Sequence, residues 1–141
     1  MSTTKLEVVT PTKLVLAADV EMVVARGAEG ELGILPQHAP LVTPLDVGTL
    51  RVKAGGKWEE LAVAGGYLEV LPTRVTVLAN AAERATEIDV ARAREARERA
   101  EARKTGRGPY GEEVDMARAE AALKRAVTRL RVAGERHETL G

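Results

Sequence analysis

The sequence predicts an α+β protein, with an N-terminal antiparallel β-sandwich over residues 1–85 and a C-terminal two-helix antiparallel hairpin over residues 86–141. Residues 1–85 hold five of the six prolines and eight of the thirteen glycines, which separate short segments of alternating apolar and polar residues. The remaining residues are mostly Ala, Arg and Glu, which are strong helix formers. We therefore expect two bodies, one built from strands and one from helices.

The strand pattern begins at Leu6 and Val8, which alternate with charged residues, and recurs in later segments separated by turn formers. Ala54-Gly55-Gly56-Lys57 is a hairpin signal, and Gly65-Gly66 and Pro72-Thr73 mark further turns. Many short strands with such turns are typical of antiparallel sandwiches and barrels. A sandwich suits so short a chain, and its core must be aliphatic because there is no Phe, one Trp and two Tyr.

One stretch, residues 27–45, combines three glycines and three prolines with six aliphatic residues. Gly supplies positive φ, and Pro fixes φ and removes a backbone donor, so this stretch cannot form a helix. The aliphatic residues between them favour burial. We expect a tight corner with short edge segments folded against a sheet.

The helical part begins with Thr86-Glu87-Ile88-Asp89, which fits a capping box, and a first helix is predicted to about Lys104. Its inner face is small, at Ala93, Ala96 and Ala100. After a break over residues 105–111, a second helix is predicted from about Asp115, with Gly134 as its stop and residues 137–141 as a frayed tail. The second helix carries an aliphatic stripe at helical spacing, which we expect to be its buried face: Met116, Ala119, Leu123, Val127 and Leu130.

Composition excludes several functions. There is no Cys, so disulfides, thiolate metal sites and cysteine nucleophiles are excluded, and the two His residues are too far apart in sequence to suggest a metal site. The formal net charge is zero, which gives no reason to expect nucleic acid as a partner. No apolar run approaches the ~18 residues of a membrane span, and no signal-peptide pattern opens the chain. We expect a soluble cytoplasmic protein with no direct membrane insertion.

Two segments resemble functional motifs but lack the surroundings that those functions require. Residues 106–111 read G-x-G-x-x-G, but a dinucleotide site needs a strand before this motif and a helix after it, whereas here it lies between two predicted helices. An interhelical turn is the better interpretation. Glu29, Glu31 and His38 suggest acid–base chemistry of a small hydrolase, yet no nucleophile with an orienting partner accompanies them. We predict no catalytic residue.

The arginines fall in two rows. Arg99 and Arg103 follow Arg92 at +7 and +11 on the first helix. The second helix repeats this spacing at Arg118, Arg125 and Arg129. A hairpin could bring the rows together as an anion site, since guanidinium groups suit phosphate oxygens. From the spacing alone, a solvated helix face with i,i+4 pairs such as Glu95–Arg99 and Glu120–Lys124 is the favoured interpretation. A free-standing phosphate-binding module therefore remains an alternative function at this point.

The corner resembles a known family. Residues 29–36, Glu-Gly-Glu-Leu-Gly-Ile-Leu-Pro, followed by His38-Ala39-Pro40-Leu41, are similar to the most recognisable segment of the epsilon subunit of F-type ATP synthases. The resemblance covers nearly the whole chain, and the Gly-rich loop between the helices is the main departure from the family pattern. It implies a β-sandwich followed by helices.

The resemblance also implies a function and partners. Members are non-catalytic rotor subunits that connect the gamma subunit to the membrane c-ring and restrain ATP hydrolysis by the alpha/beta catalytic subunits. It implies a peripheral position at the cytoplasmic face of the bacterial plasma membrane, and no required cofactor. Partner contacts are expected at the corner, at Glu31, His38, Leu35 and Leu41.

ATP, with or without magnesium, is the regulatory ligand that the resemblance implies. Some bacterial members bind ATP on the folded hairpin through a motif of Ile or Leu, Asp, two residues, Arg and Ala, which residues 88–93 match completely. The same members use a Glu before the first helix and arginines on the second, and Arg99 matches a further basic position. The implied ATP-binding residues are Glu83, Ile88, Asp89, Arg92, Ala93, Arg99, Arg118, Arg125 and Arg129.

Overall fold

The computed structural model of the chain describes residues 2–104 and 115–140, with side chains as far as Gly134. The predicted interhelical turn at residues 105–111 lies outside the described residues. Eight strands, a short 3-10 helix at Ala85–Glu87 and two α-helices follow in order: β1 Thr4–Val9, β2 Leu14–Val20, β3 Met22–Gly27, β4 Gly30–Ile34, β5 Leu41–Ala54, β6 Lys57–Leu71, β7 Arg74–Ala79, β8 Ala82–Arg84, α1 Val90–Arg103 and α2 Met116–Leu140.

The strands form one hydrogen-bonded sheet in the order β2-β1-β7-β6-β5-β3-β4, with β8 also pairing with β6. All pairs are antiparallel except β1 with β7, which is parallel. The predicted antiparallel β-sandwich is confirmed, and this parallel pair is the departure from it among the described strands. The reason is topological: β1 lies between its hairpin partner β2 and the much later β7, and the long intervening chain returns β7 in the same direction as β1. The predicted edge segment in the corner is β4, which ends the order.

The sheet folds into two layers because β5 and β6, of 14 and 15 residues, run through both. β8 pairs with the first half of β6 and β7 with its second half. Between these halves, Gly65 and Gly66 have φ values of +89° and +136°, and a Cβ on Gly66 would lie 2.1 Å from the carbonyl oxygen of Leu78. Only glycine therefore fits where β6 crosses from one layer to the other. The predicted hairpin at Gly55-Gly56 is confirmed by the β5–β6 pairing and by positive φ at both residues.

The sandwich core is a single aliphatic cluster whose members all lie between Leu6 and Ala82. A second, smaller cluster joins the helices to the sandwich, formed by Ala62 on β6, Ile88 before α1, and Val132 and Ala133 on α2. As far as the side chains are described, the first cluster contains no residue of either helix. The sandwich therefore closes its core without the helices, which lean on it through a separate contact.

The predicted start of α1 is shifted. Thr86 does not cap the helix; the cap is Asp89, whose Oδ1 accepts the backbone N–H of Arg92 at 3.1 Å. Glu87 instead accepts the backbone N–H of Arg84 at 3.1 Å, within the short 3-10 helix. The carboxylate of Asp89 still sits at the positive end of α1, as expected.

The observed ends of α1 and α2 can be compared with those predicted from the sequence. α1 ends at Arg103, as predicted, and Asp115 caps α2 by accepting the backbone N–H of Arg118 at 3.2 Å. Gly134 does not end α2, which continues to Leu140, so the predicted stop and frayed tail are wrong. A glycine inside a helix costs up to ~1 kcal/mol relative to Ala, which neighbouring helical residues can outweigh.

The helices pack through alanine. Ala93 and Ala100 of α1 are buried, as expected, and the buried alanines of α2 are Ala119, Ala126 and Ala133. The aliphatic stripe predicted to be buried on α2 is mostly not: Met116 and Val127 are 39% and 38% exposed. The alanine face of α1 permits close approach only to another small face, so α2 turns alanines towards it. Val132 of α2 is buried in the small apolar cluster instead, and Met116 and Val127 are exposed. Lys104 at the end of α1 lies near Leu123, and Ile88 before α1 contacts Val132, so the helices are antiparallel.

Candidate functional site

A cavity of about 400 Å³ lies where α1 and α2 meet the sandwich. Its floor is made of small residues from β6, from the segment that leads into β8, and from the facing sides of the two helices. A volume of this size falls in the range of small-molecule sites, roughly 300–1,000 Å³. The apolar lining is almost entirely alanine: Ala62, Val63, Ala64, Ala81, Ala82, Ala96, Ala100, Ala122 and Ala126.

Four arginines also line this cavity. Arg99 and Arg103 come from successive turns of α1, and Arg125 and Arg129 from successive turns of α2. Residues four apart lie on one helix face, so each helix presents two guanidinium groups to the same space. Glu83 is the only carboxylate that lines it among the described residues. The side chains therefore create a cavity with a strong excess of positive charge, which suits a polyphosphate.

Glu83 holds one of these arginines in position. Arg129 donates from Nε to Glu83 Oε1 at 2.6 Å and from a terminal nitrogen to Oε2 at 3.2 Å. Their side chains are 33% and 26% exposed, so the pair is half-buried. Among the described residues, Arg99, Arg103 and Arg125 form no ion pair, and their guanidinium groups are available to a ligand.

Four of the nine residues that the resemblance implied for ATP thus meet in this cavity: Glu83, Arg99, Arg125 and Arg129. The others do not line it. Ile88 belongs to the small apolar cluster, Asp89 caps α1 and Ala93 is fully buried in the helix contact. Arg92 and Arg118 are exposed on the first turns of α1 and α2.

Arg92 and Arg118 nevertheless flank the cavity. Each lies four residues, or about 6 Å along its helix, before a lining alanine, Ala96 and Ala122 respectively. Because the helices are antiparallel, Arg92 stands beyond one end of the cavity and Arg118 beyond the other. A ligand longer than the cavity would extend towards one of them.

Arg103 was not among the implied ATP-binding residues, although it stands in the arginine row on α1. Its +11 spacing from Arg92 was the signal that could have included it. The alanines of β6 gave no such signal, because alternation identifies them only as strand residues. Their role as a cavity floor depends on the helices packing above them.

A second ion pair fastens α2 to the sandwich. Lys124 donates to Asp46 Oδ2 on β5 at 2.7 Å, and the backbone N–H of Val47 donates to Oδ1 at 2.8 Å. The hydrogen bond from Lys124, followed by that from Val47, holds the pKa of Asp46 below its ordinary value. The solvated-face interpretation paired Lys124 with Glu120 along the helix, whereas its carboxylate partner in the structure, Asp46, is on the sandwich.

The four corner residues lie in different surroundings. Leu35 is 57% exposed, and Glu31 on β4 is exposed with Arg51 3.8 Å away. His38 is half-buried, with Nδ1 2.7 Å from the carbonyl oxygen of Ala39, and so its ring contacts backbone rather than a carboxylate. Leu41 is half-buried and packs against the sandwich core. Of these four side chains, those of Leu35 and Glu31 are thus the most accessible.

An apolar row crosses the outer face of the sandwich. Strand registers place Pro44 beside Tyr67, Tyr67 beside Leu78, Leu78 beside Val9, and Val9 beside Leu14. Tyr67, Leu78 and Leu14 are 57%, 49% and 55% exposed. Five neighbouring apolar residues on five strands form a continuous exposed patch, which on a small protein commonly marks an interaction surface. We call these five residues the apolar row.

Comparison with known proteins agrees with both parts of the fold. Residues 3–85 match the family model described as the ATP synthase Delta/Epsilon chain beta-sandwich domain, and residues 86–134 match the Delta/Epsilon chain long alpha-helix domain. The fold is therefore that of the delta/epsilon chains of ATP synthases. No helix among the described residues is both long and apolar enough to cross a membrane.

Similar proteins distinguish the epsilon chains within this class of delta/epsilon chains. The ATP synthase epsilon chain of Dehalococcoides mccartyi strain BAV1 is 49% identical over 138 residues, 98% of this chain and 97% of that one. The epsilon chain of Desulforamulus reducens is 57% identical over 106 residues, 75% of this chain and 80% of that one. The chain belongs to the ATP synthase epsilon chain family. It is a non-catalytic central-stalk subunit of an F-type ATP synthase.

Solved structures show the same architecture. A chain in the cryo-EM structure of the Euglena gracilis mitochondrial ATP synthase, described as OSCP, F1 and c-ring in rotational state 1, matches with a TM-score of 0.75 and 26% identity over 93% of this chain and 81% of that one. A chain of the Tetrahymena thermophila mitochondrial ATP synthase central stalk and c-ring matches with a TM-score of 0.54 and 15% identity over 94% of each chain, and supports the fold alone. Similar chains thus occur in ATP synthase assemblies.

Proposed function

We propose that this subunit couples rotation of a membrane c-ring to ATP synthesis, and that its helices inhibit ATP hydrolysis under the control of bound ATP. In this proposal residues 1–85 dock on the gamma subunit and the ring, and residues 86–141 form the regulatory part that reaches the alpha/beta catalytic subunits. The protein acts as a peripheral component at the cytoplasmic face of the bacterial plasma membrane. The single observation that carries ATP control is the cavity in which Glu83 and four arginines meet.

Docking is supported by the two accessible apolar surfaces of the sandwich. The apolar row is wide enough to seat a neighbouring subunit, and Leu35 in the corner offers a second contact at the other sheet edge. We assign the row to gamma and the corner, with Glu31 and His38, to the c-ring. Leu41 supports the corner from inside, because it packs against the core.

The docking assignment is tested by placing a charge in the apolar row. Leu78→Glu should strongly reduce co-purification of the subunit with gamma while the sandwich stays folded, since Leu78 is half exposed. Trp58→Glu is the matched control, because Trp58 is also 49% exposed. It lies near the start of β6, whereas Tyr67, the residue of the apolar row on this strand, lies near its end. Equal recovery of gamma with both variants would reject the row as the gamma surface.

ATP binding is supported by size and charge together. The cavity volume suits a nucleotide-sized ligand, and the arginines present forks for phosphate oxygens with an alanine floor beneath. Each charge-assisted hydrogen bond to phosphate contributes about 1.5–3 kcal/mol. Magnesium, where present, would bind the phosphates rather than the protein, since the described part of the chain offers a single lining carboxylate, which already bonds Arg129.

Calorimetry of the isolated subunit tests the cavity. Arg125→Ala should weaken ATP binding by roughly 10- to 150-fold, the factor for one charge-assisted hydrogen bond. Arg94→Ala is the control, because Arg94 is exposed on α1 and does not line the cavity. Arg92→Ala then tells whether the bound ATP extends beyond the cavity towards the first turn of α1. Unchanged affinity of Arg125→Ala would remove ATP from this cavity.

Inhibition requires a second state, in which the helices leave the sandwich. Placed end to end, α1 and α2 would span ~58 Å, enough to reach along a central shaft. In the folded state they are held by the small apolar cluster and the Lys124 and Arg129 ion pairs, which is a modest attachment. A ligand that binds only the folded state shifts such an equilibrium. In the assembled enzyme, Arg125→Ala should therefore lengthen the inhibited phase of ATP hydrolysis.

A further inference from the structure

A second cavity lies on the other side of α2, between this helix and the outer surface of β3, β4 and β5. Its volume is about 640 Å³, and Thr128 of α2 lines both this cavity and the one described above. α2 is therefore a shared wall, with the arginine cavity on one side and this second cavity on the other. We call it the outer groove.

The outer groove has an apolar strip. Leu123 and Val127, one turn apart on α2, and Val47 on β5 line it. Leu123 and Val127 belong to the aliphatic stripe of α2 that does not face the helix contact, and Val127 is 38% exposed. Leu123 and Val47 are half-buried, so part of each side chain in the strip is open to the groove. A stripe at helical spacing that borders an open groove suits a helical partner.

Positive charge surrounds the strip. Arg26, Lys104, Lys124 and Arg131 line the groove, against the acidic residues Glu31 and Glu120. Lys124 is neutralised by Asp46 and Glu31 lies 3.8 Å from Arg51, but Arg26, Lys104 and Arg131 form no ion pair with a described residue. Three cations of the groove therefore form no ion pair with a described residue, and of these only Arg26 lies close enough to a carboxylate, that of Asp46, to lower its pKa.

Gly48, on the floor of the outer groove, leaves room for the side chain of Arg26. The side chain of Arg26 lies across Gly48 of β5, where an added Cβ would stand 2.8 Å from Arg26 Cδ. Any larger residue at position 48 would lift the arginine stem off the strand. Gly48 thus lets Arg26 lie flat along the groove, with its apolar stem against the sheet.

We propose that the outer groove binds an acidic amphipathic helix of a partner protein. Apolar residues of the helix contact Val47, Leu123 and Val127, and its carboxylates meet Arg26, Lys104 and Arg131. The groove follows α2 from Glu120 to Arg131, about 17 Å, so a partner helix of about 11–12 residues fills it. An inorganic anion would leave the apolar strip uncovered, and an apolar helix would leave the cations without partners.

This site has a consequence for the hairpin. The outer groove exists only while α2 lies against the sandwich, because one wall is α2 and the other is β5. A helix that binds there stabilises the folded hairpin and competes with its extension. It does so without occupying the arginine cavity, so the inference stands whether or not that cavity binds ATP.

The direct test is photocrosslinking in the assembled ATP synthase. A photoreactive phenylalanine analogue in place of Val127 should crosslink to a protein segment rich in Asp and Glu, with apolar residues three and four apart. The same analogue in place of Arg94, on the exposed face of α1, is the control and should not capture that segment. Capture of lipid, of a second copy of this chain, of a segment lacking acidic residues, or of nothing would overturn the proposal.

A binding measurement separates a helix groove from a general anion site. The probe is a synthetic peptide with Leu at helical spacing and Glu at the flanking positions, and its affinity for the full chain is followed by fluorescence anisotropy. Arg131→Glu should weaken binding about tenfold or more, whereas Arg94→Glu, an equal charge change elsewhere, should not. Both positions are exposed, so both variants should keep the circular dichroism of the parent. Equal weakening by the two variants, or displacement of the peptide by equimolar pyrophosphate, would overturn the proposal.

Discussion

The ion pair between Glu83 and Arg129 connects stability to ligand binding, so it offers a sharp prediction. Arg129→Ala removes two hydrogen bonds, at 2.6 and 3.2 Å, and leaves the half-buried carboxylate of Glu83 without its partner. Fully exposed pairs contribute about 0–1 kcal/mol, and breaking a fully buried pair costs about 3–5 kcal/mol. At 26% and 33% exposure, we expect a loss of about 1–2 kcal/mol of unfolding free energy.

The double variant decides whether this loss comes from the pair itself. When Glu83→Ala and Arg129→Ala are combined, no charge is left unpaired, so the double variant should be more stable than the sum of the single effects implies. A coupling energy of about 1 kcal/mol is expected for a two-bond pair of this exposure. Arg125→Ala is the matched control, since Arg125 lines the same cavity without an ion pair to a described residue. It should change stability by no more than about 0.5 kcal/mol.

Urea unfolding of the full chain measures these values with two probes. Far-ultraviolet circular dichroism follows the helices, and fluorescence of Trp58, the only tryptophan, follows the sandwich. The loss should be seen mainly by the helical probe, because Arg129 is on α2 and the sandwich core contains no helix residue. A coupling energy near zero would refute the inference that Glu83 holds Arg129. So would an equal loss for Arg125→Ala.

Three further outcomes follow from the structure. Truncation after Ala85 should leave a sandwich that unfolds cooperatively in calorimetry, because its core cluster closes within residues 6–82; a molten product would contradict the two-body division. Gly66→Ala should cost about 2–4 kcal/mol in chemical unfolding, since the new Cβ meets a carbonyl oxygen, whereas Gly56→Ala has open space and should cost about 1 kcal/mol from its positive φ alone. The lowered pKa of Asp46 means that its pairing with Lys124 stabilises the fold above the unfolded-state pKa near 4 and is lost as pH falls through the lower folded-state value. Asp46→Asn should therefore be less stable than the parent at about pH 7, and this difference should shrink on acidification; a constant difference would contradict the assignment.

The sequence predicted the parts of the fold that depend on local chemistry. Alternation and the Gly-Gly turns identified the strands, and the capping residues Asp89 and Asp115 begin the two helices. The parallel pairing of β1 with β7 could not be predicted, because it depends on which distant strands meet rather than on any local pattern. Glycine at position 134 was over-weighted as a stop, since a local preference of ~1 kcal/mol is small beside the sum over a long helix.

The buried face of α2 is the instructive error. Hydrophobicity alone favours burying Leu123 and Val127, but the alanine face of α1 accepts only small residues, so the choice is made by shape between two helices. The dependence on helix packing also limited how much of the candidate site could be predicted from the sequence. Spacing identified the arginine rows and left a solvated face as an alternative, and only the antiparallel packing shows Arg99, Arg103, Arg125 and Arg129 around one space.

The long strands β5 and β6 have a mechanical consequence. Because each runs through both layers of the sandwich, no seam of side-chain packing alone separates one layer from the other. A twisting load applied between the apolar row and the corner is carried along continuous backbone, with rows of hydrogen bonds sharing the shear. Displacing packed side chains past one another requires less energy than breaking such rows of backbone hydrogen bonds. The sandwich is therefore stiff in torsion, which is the property that the proposed position between the c-ring and the gamma subunit requires.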